Sequence, residues 1–200
     1  MLIVVCLIAT LFAATVFAGE ESFEAHDTLN IGKDPAADAR EMLEGMAWEP
    51  GPFTVTRQPG DGVFDGSVTF TSPRPSGDAV NDRVVMEWYA AMDDAGQVID
   101  GPAMVVVHIL DGSMTVARTI ARSFAFEGIH SFVIHLPYYG QRRRPGASKD
   151  VLLFASLLRQ GAADVRRARD AIAALPHVMK DKIGIQGTSL GGFVTTLGGS

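Results

Sequence analysis

The sequence predicts an α/β fold in which a mostly parallel sheet is flanked by helices. Two apolar runs, Ala103 to Leu110 and Phe132 to Leu136, contain only one histidine each, which is typical of strands buried on both faces. A third strand is predicted over Lys182 to Gln186. Segments with apolar residues at every third or fourth position separate these strands. The chain therefore alternates strand and helix, as a parallel sheet requires.

The composition is that of one soluble globular domain, with 200 residues, 47% hydrophobic residues and a formal net charge of -6. The acidic balance gives no electrostatic footprint for nucleic acid. The dense basic run Arg142-Arg143-Arg144 is interpreted as a solvated loop. We therefore expect no nucleic-acid partner.

The N-terminus is apolar, since Met1 to Ala18 carry no charged side chain. Val16 and Ala18 are small residues at the positions that signal peptidase reads, so we predict a signal peptide over residues 1–18 and cleavage before Gly19. The protein is then expected to be extracytoplasmic, either periplasmic or secreted. An uncleaved membrane anchor is the alternative, because the extreme N-terminus lacks Lys and Arg. A membrane partner is expected only in that second case.

The cysteine content limits the chemistry that the protein can perform. Cys6 is the single cysteine and lies inside the apolar N-terminal run. Cleavage would leave a mature chain without disulfides, a thiol nucleophile or thiolate metal ligands. No Cys-His spacing suggests a metal site, so we expect neither a metal nor a cofactor.

A polar segment over residues 19–50 is predicted to contain one short helix. Asp34 is its expected cap and Ala36 to Met46 its body. The adjacent His26 and Asp27 are interpreted as a solvated linker pair, because neighbours in sequence point in different directions. This segment is predicted to precede a separate domain over residues 51–200.

The first part of that domain shows a period of two, broken by Pro- and Gly-rich turns. Three segments share the pattern and are predicted as antiparallel strands at one end of the sheet: Phe53 to Arg57, Ser67 to Thr71 and Arg83 to Ala91. Trp88 and Tyr89 are interpreted as packing residues.

A long helical segment from Lys149 to Leu175 has one apolar stripe, which is expected to face the sheet. Two pairs of opposite charge lie on it, Asp164 with Arg167 and Arg166 with Asp170. Their spacing is that of surface pairs on a helix, so they are interpreted as structure and not as chemistry.

The sequence Gly187-Thr188-Ser189-Leu190-Gly191 follows the last predicted strand and precedes a helix. A serine centred in G-x-S-x-G sits on a sharp turn that exposes its oxygen above a sheet, and a Cβ at the flanking glycines would collide with neighbouring backbone. The helix dipole points at Ser189. A phosphate-binding loop is excluded because no Lys follows the glycines, and the glycine spacing is wrong for a dinucleotide fingerprint. Ser189 is therefore predicted to be a nucleophile.

From about Ser67 to Ser200, this arrangement of lead strands, alternating strands and helices, and G-x-S-x-G resembles the α/β-hydrolase superfamily. The Pro137-Tyr138-Tyr139-Gly140 loop and the stretch from Lys182 to Gly192 look most like the dienelactone hydrolase and acetyl xylan esterase group. The resemblance implies a carboxyl-ester hydrolase that forms an acyl-enzyme on Ser189, with a small-molecule ester or acyl compound as its substrate.

The resemblance also implies an oxyanion hole made by the backbone N–H groups of Leu190 and Leu110. Ile109 and Asp111 replace glycines expected in the second loop, and Asp111 is interpreted as a solvent-facing turn residue. His108 is expected to brace this loop.

Two further residues are candidates for contact with the substrate, His135 and Tyr138, since both follow the next strand at its carboxyl end. A structural role for His135 is the alternative. In the family the catalytic acid and then the histidine follow the nucleophile, so both are expected beyond Ser200, together with the last three strands. Two other functions remain open: a peptidase of the prolyl-oligopeptidase type and a catalytically inactive, hydrolase-like binding protein.

Overall fold

The computed structural model describes residues 17, 19–30, 36–110, 113–144 and 153–199. Several sequence predictions fall outside these ranges, among them the cleavage site at Ala18, the helix cap at Asp34 and the turn residue Asp111.

The described residues form one seven-stranded sheet with the strand order β1-β2-β3-β4-β6-β5-β7. Its strands are β1 (Glu21–His26), β2 (Pro52–Pro59), β3 (Gly66–Thr71), β4 (Arg83–Tyr89), β5 (Gly101–Val107), β6 (His130–Ile134) and β7 (Val178–Gly187). Strands β1 to β4 pair antiparallel, as do β4 and β6, whereas β5 pairs parallel with both β6 and β7. The α/β class is confirmed. The sheet is nevertheless mixed and not mostly parallel, because the lead strands form more of it than predicted.

Helices cover both faces of the sheet. They are α1 (Ala37–Glu44), α2 (Ala79–Asp82), α3 (Thr115–Phe126), α4 (Leu153–Ala173) and α5 (Leu190–Gly198), with a 3-10 turn at Gly140–Arg142. Helix α3 packs on one face through Ala117 and Ala121. The other face packs on α4 and α5 through Val165, Ile172 and Val194. No helix within the described ranges is both long and apolar enough to cross a membrane.

Strand β1 was not predicted, and it joins the N-terminal segment to the sheet. Asp27, directly after β1, accepts hydrogen bonds from the Trp48 indole at 2.9 Å, the Gly51 N–H at 3.2 Å and the Arg167 guanidinium at 2.8 Å and 2.5 Å. Burial raises the pKa of Asp27, but these donors outweigh it and leave the pKa below its usual value. The interpretation of Asp27 as a solvated linker residue is therefore wrong.

A second contact anchors the same segment to α4. The Asp170 carboxylate accepts from the Thr28 N–H at 2.8 Å and the Thr28 hydroxyl at 2.7 Å. Arg166 is 3.5 Å from Asp170 and also donates to the Thr28 carbonyl oxygen at 3.0 Å. The predicted pair of Arg166 and Asp170 is therefore present, and both of its members also bind Thr28 in the segment after β1.

Phe17 occupies a place in the core next to Trp88. Its ring is 4% exposed and stacks on the Trp88 indole at 4.4 Å between centroids, with the Arg57 guanidinium 4.4 Å from the same ring. A Cβ on Gly66 would lie 2.8 Å from the Phe17 ring, so the glycine leaves the space that this ring fills. Trp88 is fully buried, as predicted for a packing residue.

Candidate active site

Ser189 lies in a strained turn between β7 and α5. Its backbone has φ 54° and ψ -117°, a combination that residues with a Cβ rarely adopt. Such a conformation costs about 1–3 kcal/mol and persists only where the surroundings enforce it. The residue is exposed, and α5 begins at the next residue. The structure thus has the sharp strand-to-helix turn that the G-x-S-x-G pattern predicts.

The two glycines that flank the turn explain how it is enforced. A Cβ on Gly187 would collide with the Gly191 carbonyl oxygen and lie 2.7 Å from the Thr195 methyl group. A Cβ on Gly191 would collide with the Val107 carbonyl oxygen and lie 2.9 Å from that of His108. The start of α5 therefore rests directly on the backbone at the end of β5, and only glycine permits this approach.

The three parallel strands end at the same level. Val107 of β5 lies opposite Ile134 of β6 and opposite Gly187 of β7. The loops that follow these strands consequently meet at the carboxyl edge of the sheet, where α/β proteins bind their ligands. Three of the predicted site residues emerge there: Leu110, Tyr138 and Ser189.

The predicted oxyanion donors are available at this edge. Leu190 is the first residue of α5, and its N–H donates to no acceptor in the described part of the chain. Leu110 is 64% exposed, and its N–H likewise has no acceptor among the described residues. The structure does not test whether the two groups act together, so the oxyanion hole stays a prediction.

His108 holds the Leu110 peptide in place. Its Nε2 accepts from the Leu136 N–H at 3.2 Å, so Nδ1 carries the proton and donates to the Ile109 carbonyl oxygen at 2.6 Å. The C=O and N–H of a trans peptide point in opposite directions. By fixing the Ile109 carbonyl, His108 therefore fixes the direction of the Leu110 N–H. This is the bracing contact expected of His108.

The surroundings of His135 favour its structural alternative, and its contact with the substrate stays an untested prediction. The residue is 2% exposed. Its Nδ1 accepts from the Gln141 N–H at 3.2 Å, and its Nε2 donates to Glu87 at 3.0 Å. Both ring nitrogens are therefore occupied, and the neutral imidazole has no lone pair to offer as a base.

Glu87 is the centre of a buried polar cluster that the sequence pattern does not indicate. Its carboxylate accepts from Arg118 at 2.9 Å and 2.6 Å, and from the Tyr89 hydroxyl at 3.0 Å, in addition to His135. Burial raises the pKa of Glu87, but the hydrogen bonds from His135 and Arg118 outweigh it and lower the pKa to about 2. Burial and the charge of Glu87 raise the pKa of Tyr89 well above its usual value. This cluster is structural.

Tyr138 has a strained backbone with φ 66°. It is the fourth residue after the end of β6, is half-buried, and donates its N–H to the Asn81 side-chain oxygen at 3.0 Å. Asn81 is itself fully buried and donates to Gln160 of α4 at 2.8 Å. The backbone of Tyr138 is therefore held by a residue that cannot easily move.

Arg142 lies in the same loop and is only 1% exposed, so the interpretation of the three arginines as a solvated loop is wrong for this residue. It donates to the Asn81 carbonyl oxygen at 2.6 Å and to that of His135 at 3.0 Å. Its Nη1 lies 2.8 Å from the buried Asp164 carboxylate, to which Ser72 also donates at 2.6 Å. Asp164 is thus a buried partner of Arg142 and not a surface partner of Arg167.

The family comparison agrees with this geometry. Residues 103–200, from β5 through α5, match the family model described as Alpha/beta hydrolase domain containing 18. The chain has the α/β-hydrolase fold. A comparison with curated proteins finds no match.

Three solved structures resemble this chain, and the first of them supports the fold. A Bacteroides fragilis NCTC 9343 protein assigned as an acetyl xylan esterase aligns with 79% of this chain and 47% of its own, at 16% identity and a TM-score of 0.54. DcsB in complex with its substrate analogue aligns with 74% and 40%, at 22% identity and a TM-score of 0.45. XC6422 from Xanthomonas campestris, a serine hydrolase without a lid, aligns with 64% and 53%, at 14% identity and a TM-score of 0.40. This chain therefore spans about half the length of these proteins or less.

The described part of the chain contains the predicted nucleophile, Ser189, but not the catalytic acid and histidine expected to act with it. No histidine or carboxylate in it hydrogen-bonds to the Ser189 hydroxyl. Within the same ranges, no group of three or more His, Cys, Asp or Glu side chains is placed to hold a metal ion. The catalytic acid and histidine stay predictions that rest on the family's chain order.

Proposed function

We propose that the protein is a serine hydrolase that cleaves small carboxyl esters through an acyl-enzyme on Ser189. The Ser189 oxygen attacks the ester carbonyl carbon, and its proton passes to a general base. The bond to the alcohol then breaks, and the alcohol leaves with that proton. Water attacks the acyl-enzyme by the same route, which releases the carboxylic acid and restores Ser189.

The strained backbone of Ser189 is the observation that carries this proposal. Strain of this kind is retained only where neighbouring structure enforces it, and here two glycines leave room for the turn. A serine in an ordinary turn needs neither feature. The result is a hydroxyl that is exposed above the ends of three parallel strands, where a small molecule can reach it.

The oxyanion donors are the second support. The Leu190 N–H lies at the positive end of the α5 dipole and has no acceptor among the described residues. His108 holds the peptide that carries the Leu110 N–H. Donors that are fixed before the reaction stabilise the developing negative charge without reorganisation, and in acyl transfer this stabilisation usually lowers the barrier more than any other effect.

The general base is assigned to a histidine outside the described residues. His108 and His135 each use both ring nitrogens in hydrogen bonds to the fold. Neither can accept the Ser189 proton without losing a contact that holds a strand end. This supports the chain order in which the histidine follows the nucleophile.

The test is labelling of the full-length protein with a fluorophosphonate probe. Such a probe reacts with a serine that has a base and oxyanion donors, so labelling reports the complete constellation. We expect labelling of Ser189, identified by mass spectrometry of the modified peptide. Ser189→Ala should abolish it while leaving the melting temperature within a few degrees of wild type.

A matched control uses Thr188, which is exposed beside Ser189 and outside the glycine contacts. Thr188→Ala should keep most of the labelling. A folded full-length protein that is not labelled would contradict the proposal and favour a binding protein. Faster turnover of peptide amides than of p-nitrophenyl esters would replace the esterase by a peptidase of the same fold.

A further inference from the structure

The first residue of β6, His130, closes a ring of hydrogen bonds at the amino edge of the parallel strands. The Ile99 N–H donates to the Ala91 carbonyl oxygen at 3.1 Å, and the Ala91 N–H donates to His130 Nδ1 at 3.1 Å. His130 Nε2 completes the ring by donating to the Ile99 carbonyl oxygen at 2.9 Å. Ala91 follows β4 and Ile99 precedes β5, so the imidazole joins both ends of this connection to the start of β6.

These contacts require a neutral imidazole that carries its proton on Nε2. Nδ1 faces two donors, because the Trp88 indole N–H points at it from 3.3 Å in addition to the Ala91 N–H. An imidazolium has an N–H at both ring nitrogens and accepts no hydrogen bond. His130 is 0% exposed, so its ring is cut off from bulk solvent. Protonation would therefore set an N–H of the ring against two other N–H groups in a buried site.

The charges near His130 do not offset this loss. Asp100 and His177 are the titratable groups that face it from the segments before β5 and β7, and they pair with each other at 2.9 Å near the surface. From β4 the ring faces the uncharged Trp88 indole, edge-on at 5.6 Å between centroids. Burial lowers the pKa of His130 and the charge of His177 lowers it further, whereas the Ile99 and His177 backbone and Asp100 oppose the shift without cancelling it.

We infer that His130 is an acid-sensitive latch, which holds the connection between β4 and β5 to the start of β6 only while its imidazole is neutral. The inference does not rest on the proposed ester hydrolysis. A histidine with a lowered pKa in the fold contributes its full stability above the ordinary value of 6.5 and loses it as the pH falls below that value. Acid therefore weakens the amino edge of the sheet, which lies opposite the edge that carries Ser189.

The experiment measures urea unfolding of full-length wild type and His130→Asn at pH 8, 7, 6 and 5. Asparagine can place a side-chain oxygen near the position of Nδ1, and this acceptor does not titrate. The variant should be less stable than wild type at pH 8, because it cannot also donate to the Ile99 carbonyl oxygen. Between pH 7 and pH 5 the ratio of the two unfolding constants should change by roughly threefold or more, within the limit of about tenfold per pH unit that one proton sets.

Hydrogen exchange of the Ala91 amide gives a local readout, since this N–H donates to His130 Nδ1. Its protection factor should fall between pH 7 and pH 5 in wild type and stay nearly level in His130→Asn. His26→Gln is the matched control, because His26 is exposed on β1 and far from this hydrogen-bond ring in the sheet order. That variant should keep the wild-type dependence of both quantities on pH.

Equal pH dependence of wild type and His130→Asn would overturn the inference. If the variant does not fold, NMR of the histidine ring nitrogens in wild type decides: an Nε2–H tautomer that persists at pH 6 supports the latch, and an imidazolium at pH 6 in the folded protein overturns it. None of these readouts depends on fluorophosphonate labelling, so failure of the proposed function and failure of this inference are separate results.

Discussion

The antiparallel and parallel halves of the sheet are held together by different means. In the antiparallel half, charged side chains make long-range contacts, such as Asp27 with Arg167 and Thr28 with Asp170. In the parallel half, the site rests on backbone packed against backbone, with Gly191 against the end of β5. The first kind of contact tolerates small shifts and supplies stability. The second fixes the position of Ser189, so the two halves should respond differently to substitution.

The largest effect is expected in the parallel half. Gly191→Ala should lower stability by about 3 kcal/mol or more and abolish fluorophosphonate labelling, because the new Cβ would collide with the Val107 carbonyl oxygen. Denaturant unfolding and labelling of the full-length protein measure both effects. Gly192→Ala is the matched control, since its Cβ would be 3.7 Å from the nearest backbone atom. Equal behaviour of the two variants would refute the backbone-contact account.

A smaller effect is expected on β4, where the two halves meet. Glu87→Gln should lower stability at pH 7 by roughly 3 kcal/mol, the value of a pKa lowered from 4.5 to about 2. A lowered carboxyl pKa stabilises the fold above pH 4.5, and the contribution is lost as the pH falls towards 2. The difference in unfolding free energy between Glu87→Gln and wild type should therefore shrink as the pH falls from 4.5 to 2.

Urea unfolding of both proteins at pH 7, 4 and 3 checks this dependence. Glu24→Gln serves as the control, because Glu24 is exposed on β1 and should show little change at any pH. If the difference in unfolding free energy between wild type and Glu87→Gln stays constant down to pH 3, the carboxylate is not held in its charged form.

The smallest of the three effects belongs to the antiparallel half. Asp27→Asn should cost about 2 kcal/mol, because it removes a charged acceptor from Arg167 and the Trp48 indole. The rate of fluorophosphonate labelling per folded molecule should stay at the wild-type value. Slower labelling at full folding would show that this clamp also positions Ser189, and the distinction between the halves would fail.

The parallel half was also the easier half to predict from sequence. Buried strands have continuous apolar runs, and β5, β6 and β7 were found from them, together with the glycine spacing of the turn. Strand β7 extends further towards its N-terminus than predicted, from Val178. Residues 179–182 are exposed, and Lys180-Asp181-Lys182 have no apolar pattern, so their composition gave no sign of a strand.

The polar contacts could not be predicted because periodicity identifies segments and not their partners. Asp164 and Arg167 have the spacing of a surface pair on a helix, yet each binds a residue far away in sequence, Arg142 and Asp27 respectively. Glu87 lies in a strand whose alternation was recognised, but its three donors come from β4, from the residue directly after β6 and from α3. Only the folded arrangement brings these groups together.

The burial of Phe17 means that, in any form of the protein cleaved after Ala18, the cleavage must come before Phe17 packs into the core. A leader peptidase reads an extended segment, whereas Phe17 in the folded chain lies against Trp88 in the space left by Gly66. Folding and cleavage therefore compete for the same residue. A chain cut first would start with a ring-sized gap beside Trp88, and a recombinant protein begun at Gly19 would share that gap.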